Sequence, residues 1–531
     1  MNRKAYHVCS FVYLKQVLEL LTPIFEKISK DNSPYSFIPL ISQILGLNAP
    51  LMGEGDSPYS ITSISFLLKD KSKILNSLYS IPFQEKRNII NEIYDFIAPI
   101  ILEEDNEYID LLMQTKYEKQ FNRLNPAEKK EFKKTLCKKK DLIKSFVFKF
   151  LSQKGDFIHL AHYGYQADLY REYDFLNGMS TKAEELWFNN SYPVVAEMVL
   201  KKTKRTNNGI KKQIKGWAIL ISNSTEQLLK DGKLRKRKIF QAARLGQRLG
   251  AKISGMGGLI ASFAGGGFYL SKEVKGVGFT TGHAYTIANI TEIVDKVLSK
   301  TNMKLEKLNI AIVGAAGSIG SGCAKILSKK NINRLLLVDT TSFISSQKLN
   351  ELKQHILKMK PRIDIITTGN LSDIRKADLV IVATNSPFSI IKSVHLKKGA
   401  IVIDDSFPKN VSYITSQERK DVLFLEGGAV QLPLDLEVYM ARNMPDLIDA
   451  PLTRLVSCRE LYSSFSETVI LAFNKHYKNY GLGNADIVLA KDITEKAEKV
   501  EIKPAALQFF GQAVDPKRFD IVEKTYKKRF A

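Results

Sequence analysis

The sequence has few of the residues that build disulfide frameworks and metal sites. Its 531 residues include four cysteines, which form no CxxC pair and no disulfide-like spacing, at Cys9, Cys137, Cys323 and Cys458. This usage is typical of a reducing compartment, and we expect a cytoplasmic protein. Of the seven histidines, His159 and His162 are expected to share a helix face or flank a turn. No third ligand accompanies them, so no metal site is predicted.

Long apolar runs are also scarce. The uncharged segment 253–271, ISGMGGLIASFAGGGFYLS, has the length of a membrane span but contains six glycines. Because glycine disfavours a helix, the segment predicts a buried, turn-rich loop and a strand edge. We therefore expect no transmembrane helix, and peripheral membrane contact stays open.

Positive charge, by contrast, is abundant and concentrated. The formal net charge is +24, and residues 201–250 hold 15 basic side chains against two acidic ones, Glu226 and Asp231. A hairpin around Asn207–Gly209 and a following helix are predicted there. The block is either a solvated lysine-rich surface or a docking face for an acidic partner. It has few interleaved aromatics and no recognition motif, so nucleic acid is not expected. The candidate docking residues, called the basic cluster below, are Lys233, Arg235, Lys236 and Arg237.

The order of elements along the chain predicts an α/β protein. Residues 1–150 are expected to form a helical N-terminal region of unknown role, and residues 151–305 a smaller α/β substrate domain. Residues 306–415 alternate strand and helix, which predicts a Rossmann-type parallel sheet. Residues 416–531 are expected to contribute a strand and a long helix from about Pro451 to Tyr477, with a tail that packs back on the substrate domain.

A glycine-rich turn inside the third region predicts a dinucleotide site. The strand LNIAIV precedes Gly314, Gly317 and Gly320, which would permit a tight turn, backbone approach to a pyrophosphate and close packing of the next helix. The helix N-terminus would favour the phosphates. Asp339 ends the next strand and is placed to accept from a ribose 2′-OH, which favours NADH over NADPH. The predicted cofactor-binding residues are Gly314, Ala315, Gly317, Ser318, Ile319, Gly320, Asp339, Thr384 and Asn385.

Several ordered motifs together resemble a known group of enzymes. They are LGAKISGMGGLIASFAGGG, GVGFTTGHAYTIANI, IVGAAGSIGSGCAKIL, AIVIDDSFPKN, VLFLEGGAV and SSFSETVILAF. They look like the long-chain acyl-[acyl-carrier-protein] reductases and the shikimate-dehydrogenase-like group of predicted amino-acid dehydrogenases. The resemblance runs from about Phe157 to about Leu507. It implies that an acyl group passes from an acidic acyl carrier protein, or from CoA, to an enzyme cysteine. NAD(P)H would then release a fatty aldehyde, and the basic cluster would receive the carrier.

The resemblance also points to candidate site residues, with one departure. Thr280, Thr281 and Gly282 would line the substrate, and His283, where the compared relatives carry Asn, could donate a proton or orient a carbonyl. Lys409 could polarise a carbonyl or hold a cofactor phosphate. Ser464 occupies the position of the family's nucleophilic cysteine, and a serine needs a partner base to attack a thioester. On one continuous helix, Cys458 would point about 120° away from Ser464 and could not replace it.

Cys323 follows the dinucleotide turn and is expected to pack against the sheet as a small apolar residue.

Three functions stay open at this point. The first is an NAD(P)H-dependent reductase of an acyl thioester, with Ser464 as nucleophile or as a lining residue. The second is a dehydrogenase of a small carbonyl or imine, which needs no nucleophile. The third is a nucleotide-binding scaffold that has lost its chemistry. The acyl chain length, the carrier and the oligomeric state are not predicted.

Overall fold

The computed structural model describes residues 96–150, 155–202, 213–433, 436–441 and 460–530. These residues form two compact units. The first holds the described residues up to 254 together with 436–441, and the second holds residues 255–433 and those from 460 onward. Much of the helical region expected in residues 1–150 lies outside the described residues, and residues 96–150 are largely helical.

Helices and strands alternate through most of the described chain. The helices are α1 (Asp105–Gln114), α2 (Glu118–Phe121), α3 (Pro126–Phe150), α4 (Gln166–Glu172), α5 (Thr181–Asn190), α6 (Thr225–Lys230), α7 (Gly232–Arg248), α8 (Ile260–Phe263), α9 (Phe268–Glu273), α10 (His283–Thr301), α11 (Ser318–Lys329), α12 (Phe343–Met359), α13 (Tyr413–Glu418), α14 (Ser463–Phe473), α15 (Ile487–Lys499) and α16 (Pro516–Phe530). The strands are β1 (Phe157–Tyr163), β2 (Val194–Lys202), β3 (Gln213–Ser224), β4 (Ile253–Met256), β5 (Gly278–Thr280), β6 (Asn309–Val313), β7 (Arg334–Val338), β8 (Asp364–Thr368), β9 (Leu379–Val382), β10 (Ile401–Asp404), β11 (Leu423–Glu426), β12 (Ala429–Gln431), β13 (Leu436–Ala441), β14 (Glu460–Tyr462), β15 (Lys503–Pro504), β16 (Gln508–Phe509) and β17 (Gln512–Ala513).

The first unit is built on a mixed sheet with the strand order β13-β2-β3-β1-β4. Strands β2 and β3 pair antiparallel from Val194↔Leu220 to Lys201↔Gln213, so the predicted hairpin is present, although its turn lies outside the described residues. Helix α7 follows as predicted, and the side chain of Asp231 caps its first turn by accepting from the N–H of Lys233 at 2.8 Å.

The prediction for His159 and His162 is wrong. Both lie in strand β1, where residues three positions apart point to opposite faces of the sheet, so they cannot form a common site. Both are buried, and burial lowers the pKa of His159 to about 3 and that of His162 to about 4. Their apolar neighbours in FIHLAHY indicate a strand buried on both faces better than a helix face, and every residue of β1 is buried.

The second unit contains a parallel six-stranded sheet. Its strand order is β11-β10-β9-β6-β7-β8, which is the doubly wound order with the reversal between β6 and β9. Strand β6 pairs in parallel with both neighbours, for example Ile310↔Leu335 and Ile310↔Leu379. Apolar side chains such as Val380, Val402 and Phe424 form the core on the sheet. The Rossmann-type α/β fold predicted from the sequence is confirmed.

The domain boundaries differ from the predicted ones. The sheet continues beyond residue 415, because β11 pairs in parallel with β10 from Ile401↔Leu423 to Asp404↔Glu426. Residues 255–305, predicted as part of the earlier domain, belong to the second unit. The reason is helix α10, which packs on α11 so closely that a Cβ at Gly322 would overlap the side chain of Ile287.

The long helix predicted from about Pro451 to Tyr477 is also corrected. Residues Glu460–Tyr462 form strand β14, which pairs antiparallel with β12, and helix α14 begins only at Ser463. Cys458 lies outside the described residues, and the helix-phase argument about it fails because a strand precedes Ser463. Helices α14, α15 and α16 all contact α10.

The uncharged segment 253–271 divides into β4, α8 and α9. None of the helices in the described part of the chain is long and apolar enough to cross a membrane.

Candidate functional site

The glycine-rich turn after β6 can be formed only by glycine at two of its positions. Gly314 has a φ of +86°, which side chains with a Cβ rarely adopt, and a Cβ there would overlap the carbonyl oxygen of Ala383. A Cβ at Gly320 would overlap the carbonyl of Gly314. The turn therefore lies against the end of β9 at the point where the strand order reverses, which is where doubly wound sheets bind ligands.

The N-terminus of α11 completes an anion-binding cradle beside this turn. Gly317 is the exposed N-cap residue, and Ser318 and Ile319 are half-buried. The N–H groups of a first helical turn have no acceptor within the helix, and the helix dipole favours negative charge there. A Cβ at Gly317 would lie 3.2 Å from the carbonyl oxygen of Gly314 and would occupy the cradle. These residues fit a dinucleotide pyrophosphate.

Asp339 holds the turn in place at the end of β7. Its carboxylate accepts hydrogen bonds from the backbone N–H of Ala316 at 2.9 Å and of Thr340 at 2.8 Å. Ala315 is buried beneath the turn, and its N–H donates to the carbonyl of Val338 at 3.1 Å. The residue predicted to contact a ribose therefore also braces the glycine-rich turn.

Thr384 and Asn385 lie across the strand reversal and are bonded to neighbouring loops. The Thr384 hydroxyl donates to the side-chain oxygen of Asn410, and the Asn385 amide donates to the Ser262 hydroxyl at 3.1 Å. Asn410 also donates to the carbonyl of Ser386 at 3.2 Å. The two predicted cofactor residues thus fix the loop after β9 to the loop after β10 and to α8.

Residues 280–283, called the TTGH loop below, are anchored by a buried carboxyl group that the sequence prediction missed. Glu467 of α14 is fully buried. It accepts hydrogen bonds from the hydroxyl of Thr280 and, at 2.7 Å, from the N–H of Tyr285 in the first turn of α10. Burial raises the pKa of Glu467 to about 7 against the lowering effect of these donors. Its signal in the sequence is the single acid within the apolar segment SSFSETVILAF.

Ser464 lies against this loop, one helical turn before Glu467. A Cβ at Gly282, whose φ is +77°, would be 2.5 Å from the Cβ of Ser464. Ser464 is half-buried in the first turn of α14. None of the described residues accepts a hydrogen bond from its hydroxyl, so no base is positioned to activate it as a nucleophile.

The adjacent Ser463 links α14 to the end of the parallel sheet. Its hydroxyl donates to the carbonyl of Gly428 at 2.8 Å and accepts from the amide of Asn289 at 3.1 Å. The same amide donates to the carbonyl of Gly427 at 3.1 Å. Asn289 therefore ties α10, the Gly427–Gly428 turn and the start of α14 together.

His283 begins α10 and is held neutral. Its Nδ1 atom is buried and has no hydrogen-bond partner among the described residues, and burial lowers the pKa of His283 to about 4. At neutral pH the ring is uncharged, so it can orient a polar group but carries no surplus proton to donate. Thr281, two residues earlier, donates its hydroxyl hydrogen to the carbonyl of Gly481 at 2.7 Å.

Lys409 is committed to an internal ion pair. Its ammonium group donates to the carboxylate of Glu426 and, at 2.8 Å, to the carbonyl of Asp404. Burial opposes the charge, but the carboxylates of Glu426 and Asp404 hold the pKa of Lys409 above its usual value. The ammonium group of Lys409 is therefore not available for its predicted role, which was to polarise a carbonyl or hold a phosphate.

A second residue missed from the sequence is Asp405. It follows β10 directly, and its N–H donates to the carbonyl of Val382 at 2.8 Å. Its carboxyl group lies against the Gly427–Gly428 turn, since a Cβ at Gly428 would be 2.8 Å from its Oδ1 atom. Burial and the nearby carboxylates of Glu426 and Asp404 raise the pKa of Asp405 to about 8, although Lys409 opposes this.

The basic cluster lies in the first half of α7, in the first unit. Lys233, Lys236 and Arg237 are exposed, and Arg235 is half-buried. The Arg237 guanidinium donates to the carbonyl of Asn189 at 2.7 Å, and that of Arg235 donates to the carbonyl of Leu228 at 3.1 Å.

Cys323 is fully buried in α11, and burial raises the pKa of its thiol. It is therefore unsuited to act as a nucleophile.

Comparison with curated proteins confirms the suspected resemblance. The family model for shikimate / quinate 5-dehydrogenase matches residues 295–424. A long-chain acyl-[acyl-carrier-protein] reductase of Synechococcus elongatus is 24% identical over 286 residues, covering 51% of this chain and 76% of that protein. The aminotransferase PigE of a Serratia species is 23% identical over 368 residues, covering 69% of this chain. This chain spans only 38% of the length of that aminotransferase.

Solved structures that match this chain include two dehydrogenases. Quinate dehydrogenase from Corynebacterium glutamicum is 13% identical with a TM-score of 0.30, covering 65% of this chain and all of that one. L-tryptophan dehydrogenase from Nostoc punctiforme is also 13% identical with a TM-score of 0.30, covering 71% of this chain and 88% of that one. At these TM-scores no functional argument follows. The sequence comparisons support an NAD(P)-dependent oxidoreductase as the broad class.

Proposed function

We propose that this protein is an NAD(P)H-dependent reductase that converts a fatty acyl thioester, bound to a carrier protein or to CoA, into the aldehyde. The observation that carries the proposal is the contact between Gly282 and Ser464. It joins the TTGH loop to the start of α14, at the position of the acyl-carrying cysteine in the reductases that this chain resembles. Through α10, which packs on α11 at Gly322, the same loop is tied to the helix that bears the dinucleotide cradle.

The cofactor would be held by the turn from Gly314 to Gly320. Its pyrophosphate would meet the N–H groups of Ser318 and Ile319, since that of Gly317 donates to the carbonyl of Gly314 at 3.0 Å. When bound, the reduced cofactor supplies a hydride. The carboxylate of Asp339 would accept from a free ribose 2′-OH and repel a 2′-phosphate. We therefore propose NADH as the preferred cofactor, with NADPH as the alternative.

The proposed reduction of the thioester needs no acyl-enzyme intermediate. No base among the described residues serves Ser464, so its hydroxyl would line the site and donate a hydrogen bond to the carbonyl oxygen of the substrate. Thr280 and Thr281 are held by Glu467 and Gly481, so they would shape the loop while Gly282 and His283 face the acyl group. The reduction would then proceed by direct hydride transfer to the bound thioester.

The partner would be an acidic acyl carrier protein that docks on the basic cluster. Three of its four side chains are exposed, and such a surface attracts an acidic protein at low salt. A cytoplasmic location, predicted from the cysteine usage, would suit that partner.

The second candidate is a dehydrogenase of a small carbonyl or imine. It is favoured by one observation, the match of residues 295–424 to the shikimate / quinate dehydrogenase family model. It also needs no nucleophile, which agrees with the lack of a base beside Ser464 among the described residues.

A panel of cofactor-oxidation assays tests the proposal. The protein is incubated with NADH or NADPH and with an acyl carrier protein loaded with a fatty acid, an acyl-CoA or small carbonyl compounds. We expect oxidation of the reduced cofactor with the thioesters, together with release of aldehyde. Oxidation with small carbonyls alone would favour the second candidate. Cofactor binding without any turnover would favour a nucleotide-binding scaffold.

A further inference from the structure

Asp405 occupies a position between the two halves of the candidate site. It follows the last residue of β10, and its backbone N–H reaches β9 at Val382, next to Ala383, whose carbonyl borders the dinucleotide turn. On its other side, its carboxyl group lies against Gly428, whose carbonyl accepts the hydrogen bond from Ser463. Asp405 therefore lies between β9, which borders the cofactor cradle, and Gly428, which is hydrogen-bonded to the first residue of α14.

The carboxyl group of Asp405 is also uncommitted. None of the described residues donates a hydrogen bond to it, whereas the carboxylate of its neighbour Asp404 accepts from the N–H groups of Ser406, Asn410 and Val411 at 2.8–2.9 Å. Asp404 thus fixes the loop after β10, while Asp405 is half-buried and points at the Gly427–Gly428 turn. A half-buried carboxyl group with no structural partner is free to act on a ligand.

Three other titratable groups of the site, His283, Lys409 and Glu467, are unsuited to proton donation. The ring of His283 is neutral, and Lys409 is paired with Glu426. Glu467 is occupied by the donors of the TTGH loop.

The thiol of Cys323 is fully buried, and burial together with the charge of Asp405 raises its pKa. Asp405, by contrast, combines access, a proton and the right protonation range. Burial keeps it protonated at neutral pH, with a pKa of about 8.

We propose that Asp405 is the proton donor of the reduction, delivering its carboxyl proton to the carbonyl oxygen of the substrate as hydride reaches the carbonyl carbon. This inference rests on the proposed function. It adds a catalytic residue that neither the motifs nor the comparisons indicate.

Asp405 would give its carboxyl proton to the carbonyl oxygen as the π-bond breaks, while the acyl carbon takes the hydride that a bound reduced dinucleotide would supply. The product would be a neutral hemithioacetal. On collapse the hydroxyl proton returns to Asp405, the C–S bond breaks, and the thiolate takes a proton from water. One thioester, one reduced dinucleotide and one solvent proton thus become one aldehyde, one thiol and one oxidised dinucleotide.

The test compares Asp405→Asn with the wild type. Asparagine has the same shape but no acidic proton, so kcat should fall about 100-fold or more, the range of general acid catalysis. In the wild type, kcat/KM should fall as the pH rises through about 8, because the deprotonated acid cannot donate, and this limb should be missing in the variant. Asp364→Asn is the matched control, since Asp364 lies exposed on β8 and pairs with Arg334.

A readout independent of turnover is the infrared absorption of the protonated carboxyl group. We expect a band that titrates near pH 8 in the wild type, is missing in Asp405→Asn and is retained in Asp364→Asn. Cofactor affinity, measured by fluorescence titration, should be the same in all three. The buried Glu467, with a pKa of about 7, should give a separate band in all three proteins. An unchanged rate in Asp405→Asn, or no band near pH 8 that this variant removes, would overturn the inference.

Failure of the proposed function has a different signature. If the wild type reduces no thioester but reduces a small carbonyl, with the same alkaline limb that Asp405→Asn removes, the thioester assignment fails and the proton donor stands. If thioester reduction is confirmed and Asp405→Asn matches the wild type at every pH, the proton donor fails alone.

Discussion

Gly282 and Ser464 are 182 positions apart in the sequence and in direct contact in the fold. An added Cβ at residue 282 would lie 2.5 Å from the Cβ of Ser464 and 2.6 Å from its Cα, and the backbone φ at Gly282 is +77°. Two independent constraints, the left-handed conformation and the close approach, therefore require glycine at the position that precedes α10. The contact between Gly282 and Ser464 holds the TTGH loop against the start of α14.

The first prediction separates the effect of the left-handed backbone at Gly282 from the effect of its contact with Ser464. Gly282→Ala should lower the free energy of unfolding through backbone strain and also displace Ser464, so thioester reduction should be lost. Gly276→Ala is the control, because Gly276 has a φ of +79° but nothing within 4 Å of the added Cβ. We expect that control to cost about 1 kcal/mol and to keep full activity. Equal activity in both variants, measured beside chemical denaturation curves, would show that the contact is unimportant.

The second prediction concerns the dinucleotide cradle. Gly317→Val should abolish binding of the reduced cofactor, because its side chain would fill the space that the pyrophosphate requires. Gly178→Val controls for adding a β-branched residue at an exposed glycine, since the nearest atom to its Cβ is 3.8 Å away. Fluorescence titration measures the affinity and thermal melts check the fold. A Gly317→Val protein that binds NADH like the wild type would remove the turn from the site.

The parts of the molecule that the sequence predicted are those governed by local pattern. The turn from Gly314 to Gly320 was predicted because a glycine spacing between a strand and a helix has a direct steric meaning. The β2–β3 hairpin was predicted from its turn residues. The approach of Ser464 to the TTGH loop, by contrast, rested on the resemblance, since residues 182 positions apart carry no local signal.

What was missed depends on tertiary environment. Asp405 and Glu467 are ordinary acids in the sequence, and only burial against particular neighbours gives them unusual protonation. Lys409 was expected to polarise a carbonyl or hold a cofactor phosphate because it follows the end of a strand. Its partner Glu426 is 17 residues later, and only the parallel pairing of β10 with β11 brings the two together. The strand at Glu460–Tyr462 was missed because it is short and precedes a strong helix pattern.

The third prediction addresses the basic cluster. Reversing its four residues to glutamate should raise the KM for an acyl carrier protein several-fold and weaken the salt dependence of that KM, because the attraction between the two surfaces is electrostatic. The KM for acyl-CoA should change little. A control variant reverses four exposed lysines of the second unit, Lys348, Lys358, Lys398 and Lys524. Equal effects of the two variants, or equal effects on both substrates, would mean that the cluster is only surface charge.

The fourth prediction concerns the residue in the cysteine position. The wild-type protein, given an activated acyl donor without reduced cofactor, should form no acyl adduct by intact mass. Ser464 has no base among the described residues that would let its hydroxyl form an ester, and the thiol of Cys323 is buried. Ser464→Cys should trap a hydroxylamine-labile thioester, since a thiol is the better nucleophile. Ser346→Cys, at an exposed position of α12, controls for unspecific acylation. A thioester in the wild type would mean that a native cysteine serves as the nucleophile.

The most direct measurement for the whole account follows the hydride itself. The protein is supplied with a fatty acyl thioester and NADH that carries deuterium at the transferable position, and the product is analysed by mass spectrometry. We expect a fatty aldehyde with one deuterium on its carbonyl carbon, formed without any acylated protein. No labelled aldehyde from the thioester, together with deuterium transfer to a small carbonyl substrate, would contradict it and identify the protein as a carbonyl dehydrogenase.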